Sequence, residues 1–565
     1  MSDNPIVVVQ DIIDRLTEHL DNNEDRVTRR LRRASTGELA MPETFGPGER
    51  EHVQAIFARI AEVGPSAVWA QLTPLLLDRQ IVLPLWGDAR AARPRPFAAI
   101  ARQLPGGLFR DVDHHGGLPG IYKDHLVSLV VLLAAYIMYD EFHVPQRETG
   151  RYDATADSLE KLKWLYRYRF NQLEIAEPGS GLEDFFRTQD LDFPEGPGTT
   201  RRVSISAAGD LLAVDALTPE NTERLFGSIG GFYSTADIVS ATLSSTVAPG
   251  LPVGRSQPAG AAARLNTSPE MLHRFVERGG IDFFATATDH ALDWGEKGVL
   301  STLRTLARSG AAHAGTAASQ AQQDDAVVLE VNGIRIGLLS FTMDLNGRRP
   351  PADKPYLVDE VRFNDAAPAP DYTLVRRQIA AARARGADYL IAYCQWGREL
   401  EMYPRENVVE AANTLIDLGI DTVLGSHPHV PQPMQRVVRD GRPDGLIVYA
   451  FGDLVSYHPE SRNSKLAYTV RFDVVQEETA DGTRTYLANL RMLPLYLLNA
   501  PRENNTVDCR ILPFADVYAH PENYPLSERE RAELDHLHDV VLHGMLIPEC
   551  GAALLADSPA GCRRI

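Results

Sequence analysis

The sequence predicts an α/β sheet domain that follows an α-helical N-terminal domain. Five short apolar runs between residues 203 and 451 are typical of buried parallel strands, and helical patterns alternate with them. Each run leads to residues that bind metals or move protons: Gly209-Asp210, Asp289-His290, Gln395-Trp396-Gly397, His427-Pro428-His429 and Gly452-Asp453. Because ligands lie at the carboxyl ends of strands in open α/β sheets, these run ends predict a metal-centred active site.

The pattern of residues divides the chain into four parts. Residues 1–190 are predicted to form a helical domain of unknown role, because Ile12, Leu16 and Leu20 share one helix face. Residues 191–202 are polar and rich in proline and glycine, which predicts a linker. The catalytic domain is expected over 203–500, and 501–565 form a C-terminal extension with one helix near Ser527–His543.

Two dipeptides predict β-hairpins within the sheet domain. Asn332-Gly333 lies between the apolar runs Val327–Val331 and Ile334–Phe341, and Asp481-Gly482 joins two longer runs. Asn-Gly and Asp-Gly favour two-residue hairpin turns because both central residues adopt positive φ angles.

Length, charge and cysteine content restrict the class of protein. A chain of 565 residues exceeds what one hydrophobic core usually supports. The net charge of −19 disfavours extended binding to nucleic acid. The most apolar stretch, Leu126–Tyr139, is shorter than the roughly twenty residues that span a bilayer. The four cysteines form no CxxC pair, and Met1–Asn22 has no signal-peptide core. We expect a cytoplasmic protein without nucleic-acid or membrane partners.

The strand-end motifs resemble those of the CapA family, proteins of poly-γ-glutamate capsule biosynthesis related to the metallophosphatases. The resemblance covers roughly residues 203–495 in the family's order. It is carried by these stretches: Gly209-Asp210, TATDHALDWG over 286–295, Gln395-Trp396-Gly397 with Glu399 and Pro404, LIDLGIDTVLGSHPHV over 415–430 and YAFGDL over 449–454.

The resemblance implies a four-layer α/β/β/α metallophosphatase-like sandwich with two metal ions at the strand ends. Two such ions about 3.5–4 Å apart activate water and stabilise an oxyanion, and carboxylate and imidazole ligands suit Mn, Fe or Zn. Carried over by position, the metal ligands are Asp210, Asp289, His427 and His429. His290 stands where related phosphatases have the histidine that protonates the leaving group, so His290 and Asp289 are the candidate catalytic residues.

Five positions depart from the family pattern. Thr242 and Ser244 replace the asparagine and glutamate of the family's Asn-Leu-Glu, and Gln395 replaces the histidine of His-Trp-Gly. Asp289 and Asp453 stand where the family has asparagines. A neutral hydroxyl bridges two cations far less well than a carboxylate, so the metal centre is expected to be rewired.

Three arrangements of the centre remain open from the sequence. The first is a single ion held by Asp210, Asp289, His427 and His429. The second is a relocated two-ion site that recruits Asp453 or Asp293. The third is a metal-free pocket that works by acid–base chemistry through His290 and the carboxylates.

Four further residues are candidate supporting or replacement ligands: Gln395, Asp453, Ser244 and Asp293. An amide oxygen binds these metals poorly, so we expect Gln395 to act as a hydrogen-bonding residue. Asp293 is expected to cap the helix that starts near Gly295.

Basic and histidine-rich segments suggest two more sites. Arg348, Arg349 and Arg398 are candidates for binding an anionic substrate. In the N-terminal domain, histidines lie near carboxylates without helical spacing, so a surface or interface role is favoured over a metal site. This second cluster comprises Asp113, His114, His115, His125, Glu141 and His143.

The sequence therefore predicts a cytoplasmic metal-dependent enzyme with one or two Mn, Fe or Zn ions. It would hydrolyse or transfer a phosphoryl or acyl group on a small anionic or peptide-like substrate in a biosynthetic pathway. The N-terminal domain would form a homodimer or recruit a partner protein. The alternatives are an amide-bond-forming enzyme, disfavoured by the lack of a Walker A pattern, and an inactive scaffold that retains the fold.

Overall fold

The computed structural model describes residues 5–42, 47–77, 125–153, 158–256, 262–480, 482–501 and 507–556. The chain divides into two compact units. The first comprises Met1–Gln146, Asp153–Leu173 and Gln257–Ala263, and the second comprises Arg147–Tyr152, Glu174–Ser256 and Arg264–Ile565. This division differs from the predicted boundary at residue 190, because residues 174–190 lie in the second unit. Their Phe186 packs edge-on against Tyr449 of that unit at 5.3 Å between ring centroids.

The first unit is helical, as its amphipathic pattern predicts. The predicted apolar face of the first helix is buried at Leu16 and Leu20, and Phe57 and Ile60 are buried on the second helix. The helices are α1 (Pro5–Ser35), α2 (Pro47–Val63), α3 (Pro65–Leu76), α4 (His125–Ile137), α5 (Tyr139–His143) and α6 (Ser158–Arg169).

The most apolar stretch of the chain forms α4 in the core of this unit. Among the described residues, no helix combines the length and apolar character needed to cross a membrane. His143 packs in the same core, where its Nε2 lies 2.7 Å from the Tyr166 hydroxyl. Asp113, His114 and His115 of the second predicted cluster, and the side chain of His125, lie outside the described residues.

The second unit contains two large mixed sheets. The first has the strand order β16-β15-β14-β1-β2-β5-β6 with β13 beside β1, and the second has the order β11-β12-β10-β9-β8-β7. The strands are β1 (Thr199–Leu212), β2 (Ile238–Ser244), β3 (Gly254–Ser256), β4 (Arg264–Asn266), β5 (Phe283–Ala285), β6 (Ala312–Ala314), β7 (Val327–Val331), β8 (Ile334–Thr342), β9 (Tyr389–Gln395), β10 (Thr422–Ser426), β11 (Pro431–Val437), β12 (Gly445–Phe451), β13 (Asp453–Val455), β14 (Leu466–Thr479), β15 (Gly482–Pro501) and β16 (Val507–Pro513).

The predicted parallel strands form the centre of the second sheet and one side of the first, where β6 is the edge strand. Strands β1, β2, β5 and β6 are parallel in the first sheet, and β8, β9, β10 and β12 are parallel in the second. The two sheets face each other through buried hydrogen bonds. The Tyr393 hydroxyl donates to Ser240 Oγ at 2.7 Å, and the Tyr468 hydroxyl donates to the Gln432 carbonyl at 2.7 Å.

Helices cover the outer faces of the two sheets. Leu272 and Leu306 pack in one core cluster with first-sheet residues, and Ala382 packs with Leu390 of the second sheet. The predicted α/β class and α/β/β/α layer order are confirmed. The helices are α7 (Leu182–Arg187), α8 (Pro269–Gly279), α9 (Gly295–Ser309), α10 (Gln320–Asp324), α11 (Thr373–Ala384), α12 (Glu406–Asp417), α13 (Phe514–Ala519) and α14 (Glu528–His536), followed by a π-helix over Leu537–Leu546.

Both predicted hairpins are present. Asn332 and Gly333 have φ angles of 51° and 75° and connect antiparallel β7 and β8. Strands β14 and β15 pair antiparallel up to Thr479 and Gly482, around the predicted Asp-Gly turn. The long β14–β15 pair extends the first sheet on the side of β1 away from β2.

The segment predicted as a linker does not separate the two units. Strand β1 starts at Thr199, and Phe193 is buried with the guanidinium of Arg436 over its ring at 5.0 Å. The proline and glycine content therefore marks an irregular stretch within the second unit. The predicted C-terminal extension also belongs to this unit, because β16 pairs with β15.

Candidate metal centre

Two glycines let the strand ends approach one another closely. A Cβ atom on Gly209 would lie 1.8 Å from the Gly452 carbonyl oxygen, and one on Gly425 would lie 1.9 Å from the Tyr449 carbonyl oxygen. Neither position has room for a side chain. The close approach places the residues that follow β10 and β12 beside β1, so residues distant in the sequence meet at one end of the two sheets.

Asp210 lies in β1, and its side chain is fully buried. Its Oδ2 accepts a hydrogen bond from the His427 backbone N–H at 2.9 Å. Its Oδ1 has no hydrogen-bond partner among the described residues. Burial raises the pKa of Asp210 to about 7, with Asp453 and Asp289 adding to the rise against the opposing effect of His429.

The His427-Pro428-His429 segment forms a turn in a sparsely populated backbone conformation. His427 and His429 have φ angles of 99° and 57°, a region that L-residues other than glycine seldom adopt. Burial lowers the pKa of His427, which favours a neutral imidazole, and its Nε2 has no partner among the described residues. A neutral, unpartnered imidazole nitrogen is the form that binds a metal.

Asp453, the first residue of β13, contacts two imidazoles. Its Oδ1 lies 2.9 Å from His429 Nδ1 and its Oδ2 lies 3.3 Å from His458 Nε2. Burial acts to raise the pKa of Asp453, but the neighbouring imidazoles of His429 and His458 outweigh it and hold the pKa below its usual range. Burial opposes protonation of His429, yet Asp453 raises the pKa of that imidazole to about 10.

Two groups of three ligand atoms lie close enough to share an ion. In each group the three atoms are within 4.8 Å of one another: Glu399, His427 and His429 form one group, and His429, Asp453 and His458 form the other. Glu399 and His458 were not among the predicted site residues. Glu399 lies two residues after the Gln395-Trp396-Gly397 motif, and His458 lies five residues after Asp453. Their closeness to these motifs was the sequence signal that could have identified them as ligands.

His290 lies between two aspartates. Its Nδ1 is 2.8 Å from Asp293 Oδ2, and its Nε2 is 3.5 Å from Asp289 Oδ2. Burial opposes protonation, but Asp289 and Asp293 raise the pKa of His290 to about 9. Burial acts to raise the pKa of Asp289, but His290, His427 and His429 outweigh it and lower the pKa. The Oδ1 of Asp289 has no partner among the described residues.

Asp293 does not cap α9 as expected. The N-cap of that helix is Trp294, without a side-chain hydrogen bond. Both oxygens of Asp293 are engaged elsewhere, because Oδ2 accepts from the Leu265 backbone N–H at 2.6 Å and contacts His290, and Oδ1 lies 2.7 Å from Arg348 Nη1. Asp293 therefore orients His290 and Arg348.

The side chains of Gln395 and Ser244 are hydrogen-bonded to each other. Gln395 Nε2 donates to Ser244 Oγ at 3.2 Å. The amide oxygen of Gln395 accepts from the Asp289 backbone N–H at 2.5 Å and from the Thr342 hydroxyl at 3.2 Å. Neither end of this amide is left for a metal ion. The two positions that lack the family's ligands thus form a neutral, hydrogen-bonded wall of the pocket.

The predicted substrate-binding arginines lie in different surroundings. Arg348 is largely buried against Asp293. Arg349 is exposed. Arg398 donates from Nε to Glu148 Oε1 at 2.6 Å, and its guanidinium lies 4.8 Å from the centre of the Tyr152 ring. Of the three, Arg348 lies closest in the hydrogen-bond network to His290.

The residues at this end of the sheets fit a divalent cation. Three buried polar atoms, Asp210 Oδ1, Asp289 Oδ1 and His427 Nε2, lack a partner within the described ranges. Buried polar atoms are normally satisfied because an unmet hydrogen bond costs about 1–3 kcal/mol. Carboxylate oxygen and imidazole nitrogen together suit borderline divalent ions. The geometry thus defines a two-sheet α/β protein with a buried carboxylate–imidazole centre.

Comparison with known sequences shows which family the sheet unit resembles. Residues 204–458 match the family model of the bacterial capsule synthesis protein PGA_cap. Over these residues the chain is similar to the CapA family, and the resemblance that its motifs predict is confirmed.

Curated relatives carry related names. The chain is 23% identical over 261 residues to the capsule biosynthesis protein CapA of Bacillus anthracis, covering 45% of this chain and 60% of the relative. It is 29% identical to the PGA biosynthesis protein CapA of Bacillus subtilis, covering 30% and 41%. It is 28% identical to a probable polyglutamine synthesis accessory protein of Mycobacterium tuberculosis, covering 37% and 54%. The chain thus spans between 41% and 60% of these relatives.

Solved structures resemble the chain only distantly. A calcineurin-like phosphoesterase from Bacillus subtilis has a TM-score of 0.30 and 12% identity, covering 60% of this chain and 99% of its own. A Thermus thermophilus protein has a TM-score of 0.26 and 11% identity, covering 48% and 94%.

Proposed function

We propose that this protein is a metal-dependent enzyme that hydrolyses or transfers a phosphoryl or acyl group on a small anionic or peptide-like substrate in a biosynthetic pathway. The cofactor would be Mn, Fe or Zn. The observation that carries the proposal is the set of three buried polar atoms, Asp210 Oδ1, Asp289 Oδ1 and His427 Nε2, without a partner among the described residues. Such a set is costly unless a bound cation or water satisfies it, and its combination of carboxylate oxygen and imidazole nitrogen favours a divalent cation.

Glu399, His427 and His429 would hold the ion, and Asp210 and Asp289 would add carboxylate oxygens. The compact Glu399–His427–His429 group supports this assignment. A divalent ion bound there supplies a Lewis acid that activates water and stabilises an oxyanion.

Asp453 would orient His429 through its Nδ1, leaving Nε2 as the nitrogen for the ion. Carboxylates that accept from a ligating histidine fix its ring orientation and raise its basicity.

His290 would protonate the leaving group. The contact between its Nδ1 and Asp293 holds one edge of the ring, so Nε2 on the Asp289 side is the nitrogen that can donate a proton. A positioned general acid contributes about 10²–10⁴-fold to rate.

The hydrogen bonds of Gln395 favour one ion over two. With the Gln395 amide bonded to Ser244, Thr342 and the Asp289 backbone, that side of the pocket offers neutral groups already engaged. Of the three arrangements open from the sequence, this supports the single-ion one, with Glu399 joining the predicted ligands.

The names of the relatives support a peptide-like substrate, since they refer to capsule, PGA and polyglutamine synthesis. Cytoplasmic location, and a homodimer or partner protein bound through the helical unit, are further parts of this proposal.

Metal analysis of protein purified without chelators tests the proposal directly. We expect roughly one divalent ion per chain in the wild type. The variant His427→Ala should lose it, because it removes an unpartnered imidazole nitrogen. The matched control is His273→Ala, an exposed histidine with 64% of its side chain accessible, which should retain the ion.

Activity assays on the same preparation distinguish phosphoryl chemistry from acyl chemistry. Hydrolysis of generic phosphodiesters with added Mn²⁺ would favour phosphoryl chemistry, whereas activity on amides alone would favour acyl transfer. A wild-type protein without metal would contradict the proposal and favour the scaffold, for which the neutral Gln395–Ser244 pair is the supporting observation.

A further inference from the structure

Asp293 gathers three groups at the edge of the candidate metal centre. Its Oδ2 accepts from the Leu265 backbone N–H at 2.6 Å and lies 2.8 Å from His290 Nδ1. Its Oδ1 lies 2.7 Å from Arg348 Nη1. One carboxylate therefore brings strand β4, the proposed proton donor and an arginine of the loop after β8 to the same place.

Arg264 directly precedes Leu265 in the chain, and Trp294 directly follows Asp293. The guanidinium of Arg264 lies 5.1 Å from the centre of the Trp294 ring. The Nε of Arg264 and the Nε1 of Trp294 are both buried, and neither has a hydrogen-bond partner in the described part of the chain. Both nitrogens are N–H donors, so two neighbouring side chains each lack a hydrogen-bond acceptor among the described residues.

Among the described residues, the charge of Arg264 also has no carboxylate as an ion-pair partner, and its guanidinium faces the Trp294 ring instead. Asp293 already contacts Arg348 and His290. Two guanidiniums at one edge of an otherwise acidic centre are the arrangement that binds an oxyanion.

We propose that Arg264, together with Arg348 and the indole N–H of Trp294, binds an oxyanion of the substrate while its reacting group lies at the metal centre. The oxyanion is a carboxylate or a phosphate, which both accept several N–H donors in a plane. This inference rests on the proposed function for the identity of the site. It adds a substrate-recognition residue that none of the strand-end motifs contains.

Calorimetric titration of the full chain with inorganic phosphate and with succinate tests the inference, on metal-loaded and on chelated protein. We expect Arg264→Gln to weaken the binding of the preferred anion by roughly 10-fold or more, because a charge-assisted hydrogen bond is lost. Arg264→Lys retains the charge without the planar fork and should recover part of the affinity. Arg304→Gln, at an exposed arginine on α9, is the matched control and should bind as the wild type does.

The two anions distinguish the sources of the oxyanion, since a preference for phosphate indicates a phosphorylated substrate and a preference for succinate indicates a carboxylate. Unchanged binding in Arg264→Gln, or no binding of either anion to the wild type at millimolar concentration, would overturn the inference. Metal content measured on the same samples keeps the two proposals apart. Metal without Arg264-dependent anion binding contradicts this inference alone, and Arg264-dependent anion binding without metal contradicts the proposed function alone.

Discussion

Asp453 shows how one side chain determines the geometry of several others. Its two oxygens contact different imidazoles, those of His429 and His458, and the strand end that carries it is buried. The family motif has asparagine at this position, which keeps an acceptor oxygen but no charge. The aspartate therefore adds negative charge beside a proposed metal ligand in a chain that lacks two of the family's other ligands.

Replacing Asp453 with Asn should lower metal affinity by roughly 10-fold, the lower end of the range for residues that support a ligating histidine. The acceptor oxygen for His429 remains, but the charge is removed. Metal dissociation constants from competition with a chromogenic chelator provide the measurement. Asp440→Asn, at an exposed aspartate, should leave the affinity unchanged. Equal affinities in the two variants would show that the charge on Asp453 has no part in metal binding.

At the scale of secondary-structure elements, β2 and β9 together form one wall of the pocket. Ser244 is the last residue of β2 and Gln395 is the last residue of β9, and the two strands belong to different sheets. Their side chains meet because the sheets face each other. A change in the residue at one strand end thus alters what its counterpart can bind.

The double variant Ser244→Glu with Gln395→His should bind a second divalent ion, about two per chain in place of one. The two substitutions restore the carboxylate and imidazole of the family motifs and remove the hydrogen bonds that engage Gln395. Metal stoichiometry by elemental analysis is the measurement. Each single variant is a control that should stay at the wild-type value. A folded double variant with unchanged stoichiometry would show that these positions do not limit ion number.

At the scale of the whole molecule, stability depends on buried carboxyl groups away from the centre. Burial raises the pKa of Asp359 to about 7 from its ordinary value of 3.8, although Gln378 and Gln323 each donate to it at 2.7 Å. The native state therefore binds more protons than the unfolded state between these pH values. The contribution of Asp359 is fully present below about pH 4 and is lost as pH rises to about 7.

The variant Asp359→Asn should show a smaller fall in the free energy of unfolding between pH 4 and pH 7 than the wild type, because its side chain does not ionise. Urea unfolding at several pH values measures the difference. Asp417→Asn, at an exposed position on α12, should follow the wild-type pH dependence. Parallel curves for Asp359→Asn and the wild type would mean that the carboxyl group has an ordinary pKa in the native state.

The periodicity of the sequence was sufficient for the class of fold. Buried parallel strands form continuous apolar runs and hairpin turns require particular residues, so the runs in residues 203–451 and the Asn332-Gly333 turn were both recognisable. The domain boundary was not recognisable from the sequence. Proline and glycine in 191–202 indicate an irregular backbone, and such a backbone occurs within a structural unit as well as between two units. Burial of Phe193 and Phe186 depends on contacts with residues more than 200 positions away.

What the sequence determined by itself was the type of chemistry: carboxylates and histidines at the ends of successive strands, in the order of the CapA motifs. Only the tertiary structure decided which atoms meet there. It placed Glu399 and His458 in ligand groups, engaged Gln395 with Ser244 and turned Asp293 toward His290. The physical reason is that packing between distant segments sets both the side-chain directions and the close approach of the strands. At Gly209, for example, a Cβ atom would lie only 1.8 Å from the Gly452 carbonyl oxygen. Spacing along the chain does not encode those directions.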